Sequence, residues 1–503
     1  MTTLLSLKKF LLENKSPKQT VVKNVFWLSA TQVSRILRIV IVIYAARVLG
    51  TSQYGLFSYV IGVMGIFSFF SDIGTGELLT RDIAKHKEKE SEYFATSFWI
   101  RMFLICTTIV IVLMVGPLIS KYEAAKPLIL LAIFFIFFND GRELMLSYLR
   151  GSEKMEFEAL IITVLNLSMV LAGLIILFYW PTAKSLLLVY ILSGAAAFLV
   201  SIIVCKKVFR GVFRNFRKDI LIEILKNGWP IAVAGISSLI IINFDILMLG
   251  WWRTSAEIGL YSAGQRIIQV LYTIPAIIST AAYPTISAII KNNDHRKERA
   301  FNEKSLSTIF LYSMPAALGG IILSRPIFEL LYGQAYIGGV ETFRLLILSI
   351  LFIFPSMIIS NLIVAHNQQK ELIKFLLFTC LINIVLNIIF IPPFGIYGAA
   401  GAALITQAAN YGITWYKIRK ITYFETVPHL KKIILCSAIM GLFSFVLNKF
   451  GIFVIVNIIL SAGLYLALII LLKERMIFEL VDIFKSIKNQ RPEDTSVTIG
   501  SNM

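Results

Sequence analysis

Charged residues are scarce in this chain: Asp, Glu, Lys and Arg together make up 15% of its 503 residues. A soluble domain carries about 25%, so a water-soluble fold of this length is excluded. Cysteine is scarce as well. The four cysteines lie in or beside apolar runs without CxxC spacing, so the sequence predicts neither a disulfide framework nor a zinc site.

The signatures of soluble enzymes are also missing. No GxSxG, P-loop or HExxH motif occurs, and the four histidines lie in or beside polar loops without ligand spacing. The loops predicted to be external are too short for the large domain that a glycosyltransferase or ligase would need. We therefore expect no catalytic residues, no metal and no cofactor.

Apolar residues dominate instead, at 57% of the chain, and the mean hydropathy is +0.79. A membrane-spanning helix needs about 20 consecutive apolar residues. Fourteen such segments follow one another, so we predict an all-α polytopic membrane protein. These spans, numbered 1 to 14, cover residues 24–47, 55–77, 95–115, 126–148, 159–179, 185–205, 228–249, 259–290, 305–324, 341–364, 372–391, 397–415, 432–448 and 452–472.

The positive charge is distributed unevenly between the connections. Of 48 lysines and arginines, 34 lie in the two termini and one set of alternating loops, and 6 lie in the other set. Cytoplasmic loops accumulate Lys and Arg, so this bias predicts that both termini lie in the cytoplasm. The net charge of +19 then reflects topology, and we expect no nucleic acid partner.

The domain division follows from these spans. We predict a cytoplasmic N-terminus (1–23), an N-lobe of spans 1–6 (24–205), a basic cytoplasmic linker helix (206–227), a C-lobe of spans 7–12 (228–415), spans 13 and 14 (432–472) and a cytoplasmic tail (473–503). In the linker, phenylalanines alternate with arginines at helical spacing in KKVFRGVFRNFRK, residues 206–218. This pattern is typical of an amphipathic helix lying on anionic lipid.

Three short motifs recur in the same order in the two lobes. Each pair lies 200 to 204 residues apart: Lys23-Asn24 with Lys226-Asn227, Leu49-Gly50 with Leu249-Gly250, and Gly55-Leu56-Phe57-Ser58 with Gly259-Leu260-Tyr261-Ser262. Six spans separate the partners, so both lobes enter the membrane in the same direction. Parallel repeats of this kind are a transporter architecture, with the binding site between the lobes.

Ionisable residues within spans are the candidates for function, because each is costly in lipid. Arg35 and Arg38 lie three residues apart near the middle of span 1. They either pair with acids across the lobe or face a polar cavity and bind an anionic group of the substrate. By contrast, four basic residues near span ends are expected to reach the membrane surface with their long side chains: Arg47, Arg101, Arg344 and Lys374.

Span 8 carries a polar stripe of Ser262, Arg266, Gln269 and Thr273, at i, i+4, i+7 and i+11. The stripe is either a seam between helices or the lining of a cavity, and its arginine favours the cavity. Pro275 and Pro284 are expected to bend this long span.

Three acids and a further arginine complete the set. In span 4, Asp140, Arg142 and Glu143 form either a structural ion-pair cluster or a coupling or gating site, and Asp140 and Glu143 share a face. Asp245 in span 7 either pairs with Arg266 or carries a coupling proton or cation. Two asparagines of span 11, Asn383 and Asn387, either hydrogen-bond sugars or join helices.

The sequence resembles the polysaccharide transporters, the O-antigen and repeat-unit flippases of the multidrug/oligosaccharidyl-lipid/polysaccharide exporter superfamily. The similarity covers nearly the whole membrane region. It is carried by Lys23-Asn24 with ARVLGTSQYGLFSYV (46–60), GLYSAGQRI (259–267), AAYPTIS (281–287), LSRPIFELLYGQAYIGG (323–339) and FRLLILS (343–349).

This resemblance implies two six-helix lobes, often with two extra helices, and alternating access. It implies that the substrate is a polyprenyl-pyrophosphate-linked oligosaccharide, moved from the cytoplasmic to the outer leaflet for cell-surface polysaccharide biosynthesis. It also implies that cationic residues of spans 1 and 8 hold the pyrophosphate, here Arg35 or Arg38 with Arg266 and its neighbour Gln269. A glycan polymerase and chain-length machinery are further partners that the family suggests.

Two other functions stay open. A cation-coupled multidrug exporter of the same superfamily is expected to carry an acid in span 1, and this span has two arginines and no acid. A membrane-embedded glycan polymerase or acyltransferase would need an essential acid or histidine.

Overall fold

The computed structural model describes residues 17–292, 294–425 and 427–472. The predicted cytoplasmic tail, 473–503, and most of the predicted N-terminus lie outside these ranges. In the described part the fold is helical throughout, and 12 segments are long and apolar enough to cross a membrane. Two long helices, Pro17–Ser71 and Gln369–Ile421, hold a non-helical glycine and contain two predicted spans each.

The N-lobe contains spans 1 to 6. Its helices are Pro17–Ser71 (spans 1 and 2), Thr75–Lys85, Glu90–Ile119 (span 3), Lys126–Leu131 with Ile133–Gly151 (span 4), Met155–Tyr179 (span 5) and Ala183–Val204 (span 6). Two short 3-10 helices, Lys87–Lys89 and Glu123–Ala125, precede spans 3 and 4. Span 2 therefore ends at Ser71, before its predicted end at residue 77, because the chain turns at Gly74 into the helix Thr75–Lys85.

The C-lobe contains spans 7 to 12, and two further helices follow. The helices are Lys218–Trp252 (span 7), Ser255–Leu271 with Thr273–Lys291 (span 8), His295–Ile322 (span 9), Ser324–Leu331, Val340–Leu348 with Ile350–Ala365 (span 10), Gln369–Ile421 (spans 11 and 12), Val427–Lys449 and Val454–Leu471. A 3-10 helix, Gln334–Gly339, precedes span 10. Span 8 breaks at Tyr272, three residues before Pro275, in agreement with the predicted bend.

The predicted linker helix, 206–227, does not form as one separate helix. Helix covers only Lys206–Phe209, a series of turns follows, and residues 218–227 belong to the helix of span 7. Tertiary contacts explain the difference: the Phe209 ring packs against Phe94 and Phe98, and Trp99 Nε1 donates a hydrogen bond to the Val212 carbonyl at 3.1 Å. The linker is thus attached to span 3, although Phe213 stays exposed.

Two glycines reverse the chain between consecutive spans. Gly50, between spans 1 and 2, has a φ of 73°, and Gly395, between spans 11 and 12, has a φ of 58°. Residues with a Cβ rarely adopt this conformation. Around Gly395 the two arms pair as antiparallel helices, since Asn383 lies 3.5 Å from Thr406 and Thr379 lies 3.4 Å from Asn410.

These turns lie on one side of the molecule, which we name the turn face; it carries the turns at Gly50, Arg253 and Gly395. The side with the linker 205–217, predicted to be cytoplasmic, is the basic face. At the turn face spans 2 and 8 cross at backbone contact, because a Cβ on Gly55 would lie 1.7 Å from the Ser255 carbonyl oxygen. The crossing pairs Gly55 with Gly259, which the sequence repeat had matched.

Further contacts join the lobes at the turn face. Ser52 Oγ lies 2.9 Å from Ser255 Oγ, and the Tyr336 hydroxyl donates to the Ala46 carbonyl at 2.7 Å. Arg47 Nη1 donates to the Leu330 carbonyl at 3.1 Å. Spans 2 and 7 also touch towards the basic face, where a Cβ on Gly74 would lie 2.9 Å from the Ile231 Cβ. The space between the lobes is therefore closed at the turn face.

Candidate functional site

Four arginines from spans 1, 4 and 8 lie close together between the lobes. Arg38 is within electrostatic range of Arg35, Arg142 and Arg266. Arg38 lies 12 residues before Gly50, and Arg266 lies 12 residues after Thr254. At 1.5 Å of rise per residue, both are about 18 Å from the turn face, near the middle of the membrane. We name Arg35, Arg38, Arg142 and Arg266 the arginine cluster.

Three members of the arginine cluster are accessible to solvent, whereas Arg142 is buried. Arg35 and Arg38 are exposed and Arg266 is half-buried, although all three lie within spans. A guanidinium facing lipid near the middle of a membrane is strongly unfavourable, so such residues line a water-filled cavity. The cavity interpretation of Arg35, Arg38 and the span 8 stripe fits this placement better than a helix seam.

The cavity has few acids near Arg38 and Arg266. Arg266 Nη1 donates to Gln269 Oε1 at 3.0 Å, and Tyr54, Tyr190 and Tyr332 lie within electrostatic range of its guanidinium. Within residues 17–292, 294–425 and 427–472, no carboxylate forms an ion pair with Arg38 or Arg266. The positively charged guanidinium groups of neighbouring arginines repel one another unless an anion lies between them. Each guanidinium is planar and can donate two parallel hydrogen bonds, which suits the oxygens of a phosphate group.

The arginine of span 4 has its own counter-ions. Arg142 Nη2 donates to Asn139 Oδ1 at 2.9 Å and to Glu143 Oε1 at 3.2 Å. The predicted ion-pair cluster therefore exists for Arg142 and Glu143. It extends further than predicted, because Arg150 joins Glu143 at 3.4 Å to Glu158 of span 5 at 3.2 Å.

Asp140 and Glu143 share a face of span 4, but their carboxylates have different partners. The Ser71 hydroxyl donates to Asp140 Oδ2, and Asn139 Nδ2 donates to Asp140 Oδ1 at 3.0 Å. Asp140 is buried against span 2, whereas Glu143 lies on the Arg142 side. One helical turn is enough to separate the two carboxylates, since neighbouring helices approach span 4 from different directions.

Asp245 does not pair with Arg266, so that alternative was wrong. Its carboxylate accepts hydrogen bonds from the Tyr261 hydroxyl at 2.6 Å, from Asn387 Nδ2 at 2.6 Å and from Asn383 Nδ2 at 3.4 Å. The residue is 2% exposed and joins spans 7, 8 and 11 inside the C-lobe. The two asparagines are buried as its partners, so they are unavailable to sugars in the cavity.

Arg101 was misjudged from the sequence as a residue that reaches the membrane surface. It is 1% exposed, and its Nη1 lies 2.9 Å from Asp72 Oδ1 and donates to the Ser71 carbonyl at 2.9 Å. Burial acts to raise the pKa of Asp72, but the Arg101 charge and the hydrogen bonds from Thr75 and Gly76 together lower this pKa below its ordinary value. The missed signal was Asp72 immediately after span 2, an acid within reach of an arginine in the neighbouring span.

Comparison with known proteins identifies the family. The model of the family described as polysaccharide biosynthesis protein matches residues 21–290, more than half of the chain, and the MatE model matches residues 230–389. A probable low-salt glycan biosynthesis flippase of Haloferax volcanii is 22% identical over 374 residues, covering 73% of this chain and 76% of the relative. A lipopolysaccharide biosynthesis protein of Escherichia coli K12 is 21% identical over 368 residues, 71% of each chain.

The fold has a solved counterpart. The lipid II flippase MurJ in its inward closed conformation superimposes with a TM-score of 0.74 at 19% identity, over 90% of this chain and 100% of that one. This match establishes the fold. The polysaccharide biosynthesis model, which matches more than half of the chain, shows that this multi-pass membrane protein belongs to the polysaccharide biosynthesis protein family.

Proposed function

We propose that this protein is a flippase for polyprenyl-pyrophosphate-linked oligosaccharides in cell-surface polysaccharide biosynthesis. It moves them by alternating access from the basic face, the proposed cytoplasmic side, to the turn face. The observation that carries the proposal is the meeting of Arg38 and Arg266 at one depth, from different lobes and without ion-paired acids. A pyrophosphate satisfies both guanidiniums, and the polyprenyl chain stays in lipid.

The first test is to purify the protein gently and to identify its bound lipid by native mass spectrometry. Wild type is expected to retain a polyprenyl-pyrophosphate glycan. Arg38→Ala/Arg266→Ala should lose at least about 90% of it, because charge-assisted bidentate bonds are the strong ones. Lysine substitutions should restore part of the binding if charge alone matters.

A matched control keeps this test specific. Arg325→Ala removes an exposed arginine whose partner is Glu329 at 3.0 Å, far from the cavity, and should leave the bound lipid unchanged. Phospholipid alone on both wild type and the double variant would contradict the proposed substrate. Cation-coupled drug transport would then be assayed, as the alternative in the same superfamily.

We further propose that Asp245 carries the coupling ion, a proton or a cation. Support comes from its burial and from its hydrogen bonds to spans 8 and 11: a change of charge on this carboxylate alters three contacts between helices at once. In proteoliposomes, flipping by wild type should depend on the sodium or proton gradient, and Asp245→Asn should abolish that dependence. A variant that still responds to both gradients would remove Asp245 from the coupling mechanism.

A further inference from the structure

Span 4 presents a row of polar side chains along one face, which we name the span 4 stripe: Asn139, Arg142, Glu143, Ser147 and Arg150. These residues lie at i, i+3, i+4, i+8 and i+11 within the helix Ile133–Gly151, so they follow one side of it. Eleven residues at 1.5 Å each make the stripe about 16 Å long. It begins at Arg142 and Asn139, beside the arginine cluster, and runs towards the basic face.

The stripe carries two arginines and one glutamate, and Glu158 of span 5 balances its charge. Arg142 lies 3.2 Å from Glu143, and Arg150 lies 3.4 Å from Glu143 and 3.2 Å from Glu158. Arg150 Nη2 also donates to Ser147 Oγ at 3.2 Å. In contrast to Arg38 and Arg266, this surface attracts neither anions nor cations strongly. An array of paired guanidinium, carboxylate, amide and hydroxyl groups suits an uncharged ligand rich in hydroxyl groups.

Two polar atoms of this network are buried without a partner in the described part of the chain: Arg142 Nε and Glu158 Oε2. Their residues are 6% and 4% exposed. A buried donor and a buried acceptor that stay unsatisfied each cost free energy. Glu143 and Arg150, at 39% and 35% side-chain exposure, are accessible. The stripe thus has accessible hydrogen-bonding groups beside a buried network that is not fully satisfied.

We propose that the span 4 stripe binds the glycan of the substrate, and that it takes uncharged sugars. This inference rests on the proposed function: the arginine cluster holds the pyrophosphate, and the sugars extend from it towards the basic face. A sugar ring in a chain occupies about 5 Å, so the stripe accommodates about three rings. The N-lobe then binds the glycan, while both lobes bind the pyrophosphate.

A purely structural role predicts something different. If Arg150 only ties span 4 to span 5, then its loss lowers stability and leaves ligand preference unchanged. If the stripe holds sugars, its loss removes the preference for glycosylated over sugar-free carrier, and binding of the sugar-free carrier persists. Ligand preference therefore separates the two roles, and stability alone does not.

The test compares wild type with Glu143→Gln/Arg150→Gln, which removes one charge of each sign and keeps side chains of similar size. Protein carrying co-purified polyprenyl-pyrophosphate glycan is titrated with undecaprenyl pyrophosphate, and native mass spectrometry reports the retained glycan. The variant should release its glycan at about one tenth of the competitor concentration needed for wild type, as expected for the loss of one or two charge-assisted hydrogen bonds. Arg325→Gln/Glu329→Gln, an exposed ion pair in the C-lobe, is the matched control.

The outcomes distinguish the inference from the proposed function. Equal release concentrations for wild type and variant, with pyrophosphate binding intact in both, would overturn the glycan site and leave the flippase proposal standing. A wild type that retains no polyprenyl-pyrophosphate lipid and does not bind undecaprenyl pyrophosphate would overturn both. If the neutral variant does not fold, Glu143→Gln alone keeps the pair of Arg150 with Glu158; a wild-type release concentration in that variant would also contradict the assignment.

Discussion

Ion pairs fix the positions of single residues in this protein, because an unpaired charge within the membrane is strongly unfavourable. Arg101 is fully buried in span 3, and Asp72 and the Ser71 carbonyl receive its hydrogen bonds. Asp72 also caps the helix Thr75–Lys85, since the Thr75 hydroxyl at 2.9 Å and the Gly76 amide at 3.3 Å donate to its Oδ1. The Asp72 carboxylate therefore links the end of span 2 to the start of the helix Thr75–Lys85, and it compensates the buried charge of Arg101.

Asp72→Asn is expected to destabilise the folded protein by about 2 kcal/mol at neutral pH, because it leaves the Arg101 charge uncompensated. This free energy is smaller than for a fully buried ion pair, because the Asp72 side chain is 38% exposed. Asn still accepts the helix-capping hydrogen bonds. The folded pKa of Asp72 is lower than its unfolded pKa. The stabilisation is therefore complete above the unfolded value of about 3.9 and disappears as the pH falls through the folded value.

Thermal unfolding in detergent, measured from pH 7 to pH 3, checks this expectation. The difference between wild type and Asp72→Asn should stay constant down to about pH 4 and shrink below it. Asp294→Asn is the control, because it removes an exposed ion pair with Lys297 at 2.8 Å and keeps the helix cap. Equal unfolding temperatures of wild type and Asp72→Asn at pH 7 would show that Arg101 needs no counter-charge.

At the scale of elements, the lengths of the apolar runs predicted the spans but not the conformation of the chain where the helices end. Spans 1–2 and 11–12 were separable from sequence because Gly50 and Gly395 interrupt long apolar runs. The linker was predicted as a helix from the helical spacing of Phe209, Phe213 and Phe216. In the structure it packs against span 3 instead, where the Phe209 ring contacts Phe94 and Phe98. The helical spacing of apolar residues does not show which other helix they pack against.

The candidate site was predictable in part for a related reason. Arg38 and Arg266 stood out because each interrupts an apolar span at the same distance from a turn. The sequence repeat does not bring them together, because it relates span 1 to span 7 and span 2 to span 8. The partners of Asp140 and Asp245 could not be predicted, since a helix face points to a neighbouring helix whose identity depends on the packing of the whole lobe.

At the scale of the molecule, the turn-face contacts close the space between the lobes, and the proposed alternating access needs a second state that is open there. Gly55 and Gly259 bring spans 2 and 8 to backbone contact, and Ser52 and Ser255 lie 2.9 Å apart between their hydroxyl oxygens. Alternating access requires these two lobes to separate at this face. A covalent bond across Ser52 and Ser255 should therefore stop transport without touching the arginine cluster.

Ser52→Cys/Ser255→Cys is expected to form a disulfide under oxidation, since the side chains already lie within reach of its geometry. Flipping of the co-purified class of glycolipid in proteoliposomes should fall at least about tenfold and recover on reduction. Thr182→Cys/Ser185→Cys is the matched control, with the same 2.9 Å separation inside the N-lobe, and should transport in both redox states. Full transport by the oxidised interlobe variant would mean that substrate crosses without separation of the lobes at the turn face, and alternating access between them would have to be abandoned.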